Sequence, residues 1–130
     1  MAVELNHTIL YARDSKASAA FFSEVLGLPA PAHWGPFEVV ATANGTNLDF
    51  LDADGEIAPQ HYAFLVSEAE FDAIFTRIKD RKLACWADPG QTRQGEINRH
   101  DGGRGLYFED PHGHLLEIIT RAYGSGGWNP

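Results

Sequence analysis

The sequence predicts an α+β fold built from two βαβββ modules whose strands form a curled mixed sheet around a cleft, and three observations predict it. Alternating apolar runs pass directly into segments of helical period at two places in the chain. Each helix is followed by strand-like runs separated by turn signals. The order of elements repeats, and setting His7 on His61 superposes the two halves at an offset of 54 residues.

In the first half, Leu5, His7, Ile9 and Tyr11 alternate with Asn6, Thr8, Leu10 and Ala12, the two-residue period of a strand. Asp14 stands where an N-cap is expected. Behind it Ala17, Ala20, Phe21, Val25 and Leu26 recur near a 3.6-residue period, and Gly27 then Pro29 end the helix. Short strands are expected near Glu38 to Ala43 and Asn47 to Leu51, with Asn44-Gly45 as the turn between them. The second half opens on QHYAFLV, a strand that reads as buried apart from His61 at its head. Ser67-Glu68-Ala69-Glu70 is a capping box, and Phe71, Ile74, Phe75 and Ile78 form one apolar stripe behind it. Two strands follow, Leu106 to Glu109 and His114 to Thr120, joined by the turn Asp110-Pro111-His112-Gly113.

The expected organisation is one domain over 1–130, with module 1 at about 4–55, module 2 at about 58–121 and a tail over 122–130. At 130 residues, 44% of them hydrophobic, the chain suits one compact core. No apolar run approaches the roughly 20 residues that cross a bilayer, so no membrane is expected. MAVELNHTIL carries no export signal, and the expectation is a cytoplasmic protein. A net charge of −8 argues against nucleic acid, whose phosphates attract Lys and Arg, and leaves a small molecule as the expected partner. The single cysteine, Cys85, cannot form an internal disulfide.

The repeat gives the histidines their weight. A histidine at the head of both equivalent strands, His7 and His61, is what a metal site on a pseudo-twofold axis requires. Glu117 lies among Leu115, Leu116, Ile118 and Ile119, where an ionised carboxylate needs a partner or a cation. Asp49 occupies the matching place in module 1. The candidate ligands of one divalent metal ion are therefore His7, His61 and Glu117, with Asp49 as a fourth. Two imidazoles and one carboxylate suit Fe or Mn, and a second carboxylate favours Lewis-acid chemistry on Zn, Ni or Mn.

NHTILYARDSKASAAFFSEVLGLP together with LYFEDPHGHLLEIITR resembles the vicinal oxygen chelate superfamily, which includes glyoxalase I, extradiol dioxygenases, fosfomycin-resistance enzymes and metal-free bleomycin-binding proteins. The resemblance runs over roughly residues 4–121. It implies paired modules around a metal-centred cleft and a substrate that chelates the metal through neighbouring oxygens. It also implies a homodimer, since in small relatives the halves of a metal site often come from different chains. By resemblance to extradiol dioxygenases, an acid/base group beside the metal is expected from Tyr107, His100 or His112.

QHYAFLVSEAEFDAIF is similar to fosfomycin-modifying thiol transferases, yet Ile9 stands where those carry a catalytic threonine and Gly105 where they carry a serine. The residues 90–104 replace their short potassium-binding loop. This long loop is expected to cover the cleft, with Arg93, Arg99 and Arg104 as candidates for an anionic substrate. Trp34, Trp86 and Phe37 are candidate pocket walls, and the tail from Gly124 to Trp128 reads as flexible.

Overall fold

A computed structural model describes residues 2–126 and divides the chain into two units, Met1–Ala58 and Pro59–Pro130. Unit 1 runs β1 (His7–Ala12), α1 (Ser15–Leu26), β2 (Ala32–Trp34), β3 (Phe37–Ala41) and β4 (Asn47–Asp52). Unit 2 runs β5 (His61–Leu65), α2 (Glu68–Asp80), β6 (Cys85–Trp86), a 3-10 turn (His100–Gly102), β7 (Gly105–Glu109) and β8 (Leu115–Ile119). Each unit carries its own four-stranded mixed sheet, ordered β1-β4-β3-β2 in the first and β5-β8-β7-β6 in the second. In both, the opening strand pairs parallel with the closing one and the remaining pairs are antiparallel. These are two βαβββ modules of one topology. The short β2 and β6 were not legible as separate runs, because two or three residues carry no periodicity.

Local chemistry explains the element ends. The Asp14 carboxylate accepts from the Ala17 amide at 3.1 Å, and Gly27 turns left-handed at φ 72° while its amide donates to Ser23. The capping box forms as expected, with Ser67 Oγ accepting from the Glu70 amide at 3.1 Å and the Glu70 carboxylate accepting from the Ser67 amide at 2.8 Å. Between β7 and β8, Gly113 at φ 84° closes the turn by donating to the Asp110 carbonyl. The Asp110 carboxylate meanwhile accepts from the His112 and His114 amides at 3.0 and 2.8 Å.

Two expectations about faces are corrected. The buried stripe of α1 is Ser15, Ser18, Ala19, Phe22, Ser23, Val25 and Leu26, not the set containing Ala17, Ala20 and Phe21. Adjacent phenylalanines and core-facing serines let an apolar count slip by one position. Phe22 is the ring that enters the core, edge-to-face with Phe50 of β4 at 4.8 Å. The strand in QHYAFLV is not buried on both sides. Tyr62 and Phe64 are half-buried, whereas His61, Ala63 and Leu65 are exposed, Leu65 to 66%. β5 is an edge strand, and a run apolar on both faces does not reveal which face is covered. β1 behaves alike: Leu10 and Ala12 are core, and His7, Ile9 and Tyr11 lie on the exposed face. No helix among the described residues is long and apolar enough to cross a membrane.

Candidate metal centre

The sheet registers make the histidine and carboxylate positions equivalent. In unit 2, His61 stands opposite Leu115 and Ala63 opposite Glu117; in unit 1, His7 stands opposite Asn47 and Ile9 opposite Asp49. Each module thus carries its carboxylate two residues beyond the partner of its strand-head histidine, on the adjacent parallel strand. By the antiparallel neighbour, Tyr107 stands opposite Glu117 as Val39 stands opposite Asp49.

In unit 2 the pair is closed. His61 Nε2 lies 3.1 Å from Glu117 Oε1, and the carboxylate is only 2% exposed while the imidazole side chain is 46% exposed. His61 Nδ1 is 2.9 Å from the Leu115 carbonyl oxygen, which can only accept, so Nδ1 carries the ring hydrogen. In the neutral ring Nε2 is then a bare lone pair facing a carboxylate oxygen, two acceptors in contact. That arrangement requires a further proton or a cation, and a divalent metal satisfies both atoms at once. A ligating imidazole whose other nitrogen donates to a backbone carbonyl is also the usual support of a metal-bound histidine. Unit 2 thus supplies two donor atoms for such an ion, His61 Nε2 and Glu117 Oε1.

His7 is prepared in the same way: its Nδ1 is 2.8 Å from Asn6 Oδ1, which leaves Nε2 as the lone pair. Asp49 makes no hydrogen bond to His7 among the described residues, in contrast to Glu117 and His61; one methylene less shortens its reach. His7 and Asp49 instead share a cleft of about 480 Å³ with Asn6, Ile9, Trp34 and Phe37. Trp34 is 73% exposed there, so it and Phe37 are cleft walls, whereas Trp86, paired with Tyr107 in β6, is not among them. Among the described residues no three His, Cys, Asp or Glu side chains gather closely enough to hold a metal ion.

Tyr107 lies beside the His61–Glu117 pair, and His100 touches Tyr123, whose hydroxyl meets Glu117. The Tyr107 ring is 6% exposed and stacks on His61 at 5.9 Å. Burial, reinforced by the Glu117 charge, pushes its phenol above the ordinary tyrosine range, although its contact with the Tyr123 hydroxyl opposes this. His100 begins the 3-10 turn and meets Tyr123 edge-to-face at 6.1 Å. His112 lies in the β7–β8 turn.

Sequence reasoning missed Tyr123, the residue that joins these groups. Its hydroxyl donates to Glu117 Oε2 and lies 3.3 Å from the Tyr107 hydroxyl. Burial and the Glu117 carboxylate push its phenol well above the ordinary range. The start of the tail is not loose, for the Gly124 and Gly126 amides both donate to Asp101 Oδ1 at 3.1 Å. Gly127 and Trp128 lie outside the described residues. The signal that could have found Tyr123 was an aromatic four residues after β8 and six after Glu117.

The long loop is also more ordered than its composition suggests. Asp88 caps it through Thr92 and Arg93, and Asn98, 5% exposed, donates to the Ala87 carbonyl at 2.9 Å. Arg104 is corrected as a substrate candidate. Its guanidinium pairs with Glu68 at 2.8 Å and Asp72 at 2.9 Å and covers the Phe71 ring, so its donors are committed to α2. Arg93 pairs with Glu96 at 3.5 Å.

A family model of the Glyoxalase/Bleomycin resistance protein/Dioxygenase superfamily matches residues 4–118. The chain is 30% identical over 124 residues to the glutathione transferase FosA of Serratia marcescens, covering 91% of this chain and 81% of that protein. It is 33% identical over 124 residues to the metallothiol transferase FosB of Shouchella clausii, covering 89% and 79%. Among solved structures, the oxidase ChaP-H2 superposes with a TM-score of 0.95 at 61% identity, covering 98% of this chain and all of the other.

Proposed function

Because the chain belongs to the glyoxalase, bleomycin resistance protein and dioxygenase superfamily, we propose that it is a divalent-metal-dependent enzyme that oxidises a small molecule bearing neighbouring oxygens. The observation that carries the reading is the contact between His61 Nε2 and Glu117 Oε1, two acceptors that a metal ion reconciles. His61 and Glu117 of unit 2 hold the ion, and His7, with the same free Nε2, completes the set. Asp49 stays outside the metal's ligands, which leaves a facial triad rather than a four-ligand, glyoxalase-like site. When bound, the metal supplies Lewis acidity and adjacent open positions for a chelating substrate.

The chain's own residues do the rest. Trp34 and Phe37 offer aromatic faces to a flat substrate beside His7, and Asp49 can accept a hydrogen bond from a substrate hydroxyl in the same cleft. Tyr107, packed on His61, keeps that imidazole plane in place and excludes water from its buried side. The likeness to the oxidase ChaP-H2 at 61% identity favours oxidation over isomerisation. Thiol transfer to fosfomycin is disfavoured by Ile9, a hydrocarbon lining the cleft where that reaction requires a hydroxyl. A metabolite- or drug-sequestering protein is disfavoured by the presence of His7, His61 and Glu117 at equivalent places of the two modules.

We place the site in a homodimer in which the partner subunit's His7 joins His61 and Glu117. The exposed apolar face of Leu5, Ile9, Tyr11 and Trp34 supports association, since contiguous apolar patches mark interaction surfaces. The deciding experiment is metal analysis of protein purified without chelator, then oxygen uptake with a panel of catechols and hydroxyquinones, alongside sedimentation. Stoichiometric metal in a dimer and metal-dependent oxygen uptake are expected. Metal-dependent turnover of a glutathione hemithioacetal or of fosfomycin without oxygen uptake overturns the oxidase reading, and a stable metal-loaded monomer overturns the shared site.

A further inference from the structure

The two oxygens of Glu117 have different partners. Oε1 faces His61 Nε2 at 3.1 Å, and Oε2 receives the hydrogen of the Tyr123 hydroxyl. Tyr123 reaches that place on a short strap after β8, the turn Ala122–Ser125, in which the Ser125 amide and hydroxyl both donate to the Ala122 carbonyl, at 3.1 and 2.5 Å. The Arg121 guanidinium braces the turn by donating to the Ser125 carbonyl at 3.3 Å.

The strap is clamped from a distant part of the chain. Asp101, 3% exposed and held in the left-handed region at φ 57°, uses Oδ1 to accept from both Gly124 and Gly126, while its Oδ2 is buried with no hydrogen-bond partner among the described residues. Strap and clamp also approach so closely that a Cβ on residue 126 would stand 2.0 Å from the Asp101 carbonyl oxygen, so only glycine fits. A left-handed aspartate and an obligatory glycine are costly for a tail with no task. Together they deliver one hydroxyl to one carboxylate oxygen.

We propose that Tyr123 is a positioning residue that makes Glu117 a one-oxygen metal ligand: its hydroxyl occupies Oε2, Oε1 alone is left beside His61 Nε2, and the coordination position that a chelating carboxylate would fill stays open to substrate. The proposal rests on His61 and Glu117 being metal ligands. The physical reason is competition for lone pairs. A buried carboxylate oxygen that accepts a hydrogen bond from a phenol is less basic toward a cation than its partner oxygen. Without that hydroxyl, both oxygens are available and the carboxylate can chelate. Asp101 and Gly126 act only through Tyr123, by holding the strap at the right depth.

The test uses the whole chain and Co(II) alone as probe, because the intensity of the cobalt visible bands reports coordination number without any turnover. Tyr123→Phe keeps the ring and removes the hydroxyl. Its cobalt spectrum is expected to shift toward higher coordination number, with cobalt affinity changed about 10- to 100-fold, the range typical of groups behind a ligand. Gly126→Ala, which touches no ligand, is expected to move the spectrum in the same direction, and to have no further effect in a Tyr123→Phe background.

A wild-type spectrum and affinity in Tyr123→Phe overturn the proposal. So do equal effects of Gly126→Ala in the two backgrounds, since the strap would then act by another route. Should Gly126→Ala not fold, Asp101→Asn takes its place and Tyr123→Phe still decides. Wild-type protein that binds no Co(II) overturns the metal reading itself, an outcome distinct from bound cobalt that ignores the Tyr123 hydroxyl.

Discussion

Replacing Glu117 by leucine separates a metal ligand from a structural ion pair. The carboxylate is 2% exposed and accepts from Tyr123, with His61 at 3.1 Å. The one hydrogen bond it accepts, from Tyr123, contributes about 1.5–3 kcal/mol, as is typical of a charged acceptor. Against this, removing a carboxylate from water costs several kcal/mol. Leucine of similar volume adds about 1.5–3 kcal/mol by burial. The groups left behind are not stranded: the His61 side chain is 46% exposed and Tyr123 is 45% exposed, so both can hydrate.

The metal-free Glu117→Leu protein should therefore match the wild type or exceed it by up to about 3 kcal/mol, roughly 10 °C in Tm at about 4 °C per kcal/mol for a chain of this size. Metal must then discriminate. At 100 times Kd it should add about 2.7 kcal/mol to the wild type, again roughly 10 °C, and nothing to the variant. Scanning calorimetry of both proteins with and without metal measures all four values. A metal-free variant that loses about 3 kcal/mol or more would show that Glu117 serves the core, and equal metal-induced shifts in both proteins would refute ligation.

Two further outcomes follow from the same geometry. Asp49→Ala should lower metal affinity by at most about 10- to 100-fold while Glu117→Ala abolishes binding; equal and complete loss in a metal titration moves Asp49 into the ligand set and the protein to the glyoxalase-like class. Tyr62, Tyr107 and Tyr123 all have phenols raised by burial. A raised folded value means the native state holds the proton more tightly, so this stability is complete below about pH 10 and is lost as pH rises through the folded values. Absorbance at 295 nm followed with circular dichroism should show these phenolates emerging only as the fold is lost, and reversible titration of all three near pH 10 with native ellipticity would contradict it.

The sequence by itself determined what is local or repeated. Asp14, the Ser67–Glu70 box and the Asp110–Gly113 turn act through atoms a few residues apart, so their chemistry can be read without a fold. The equivalence of His7 with His61 and of Asp49 with Glu117 is a property of a duplicated module, and the strand registers reproduce it. Only the tertiary structure decided which neighbours those residues acquire. Arg104 looks like an anion-binding loop arginine until α2 brings Glu68 and Asp72 to it. Phe21 and Phe22 are indistinguishable until one packs on Phe50. Tyr123 lies in a stretch whose glycines and serine read as loose, and it meets Glu117 because Asp101, more than 20 residues earlier, ties that stretch down. Periodicity records the average environment along an element. The meeting of one hydroxyl with one carboxylate oxygen depends on sheet register, a left-handed backbone and a close approach between distant segments, none of which leaves a periodic trace.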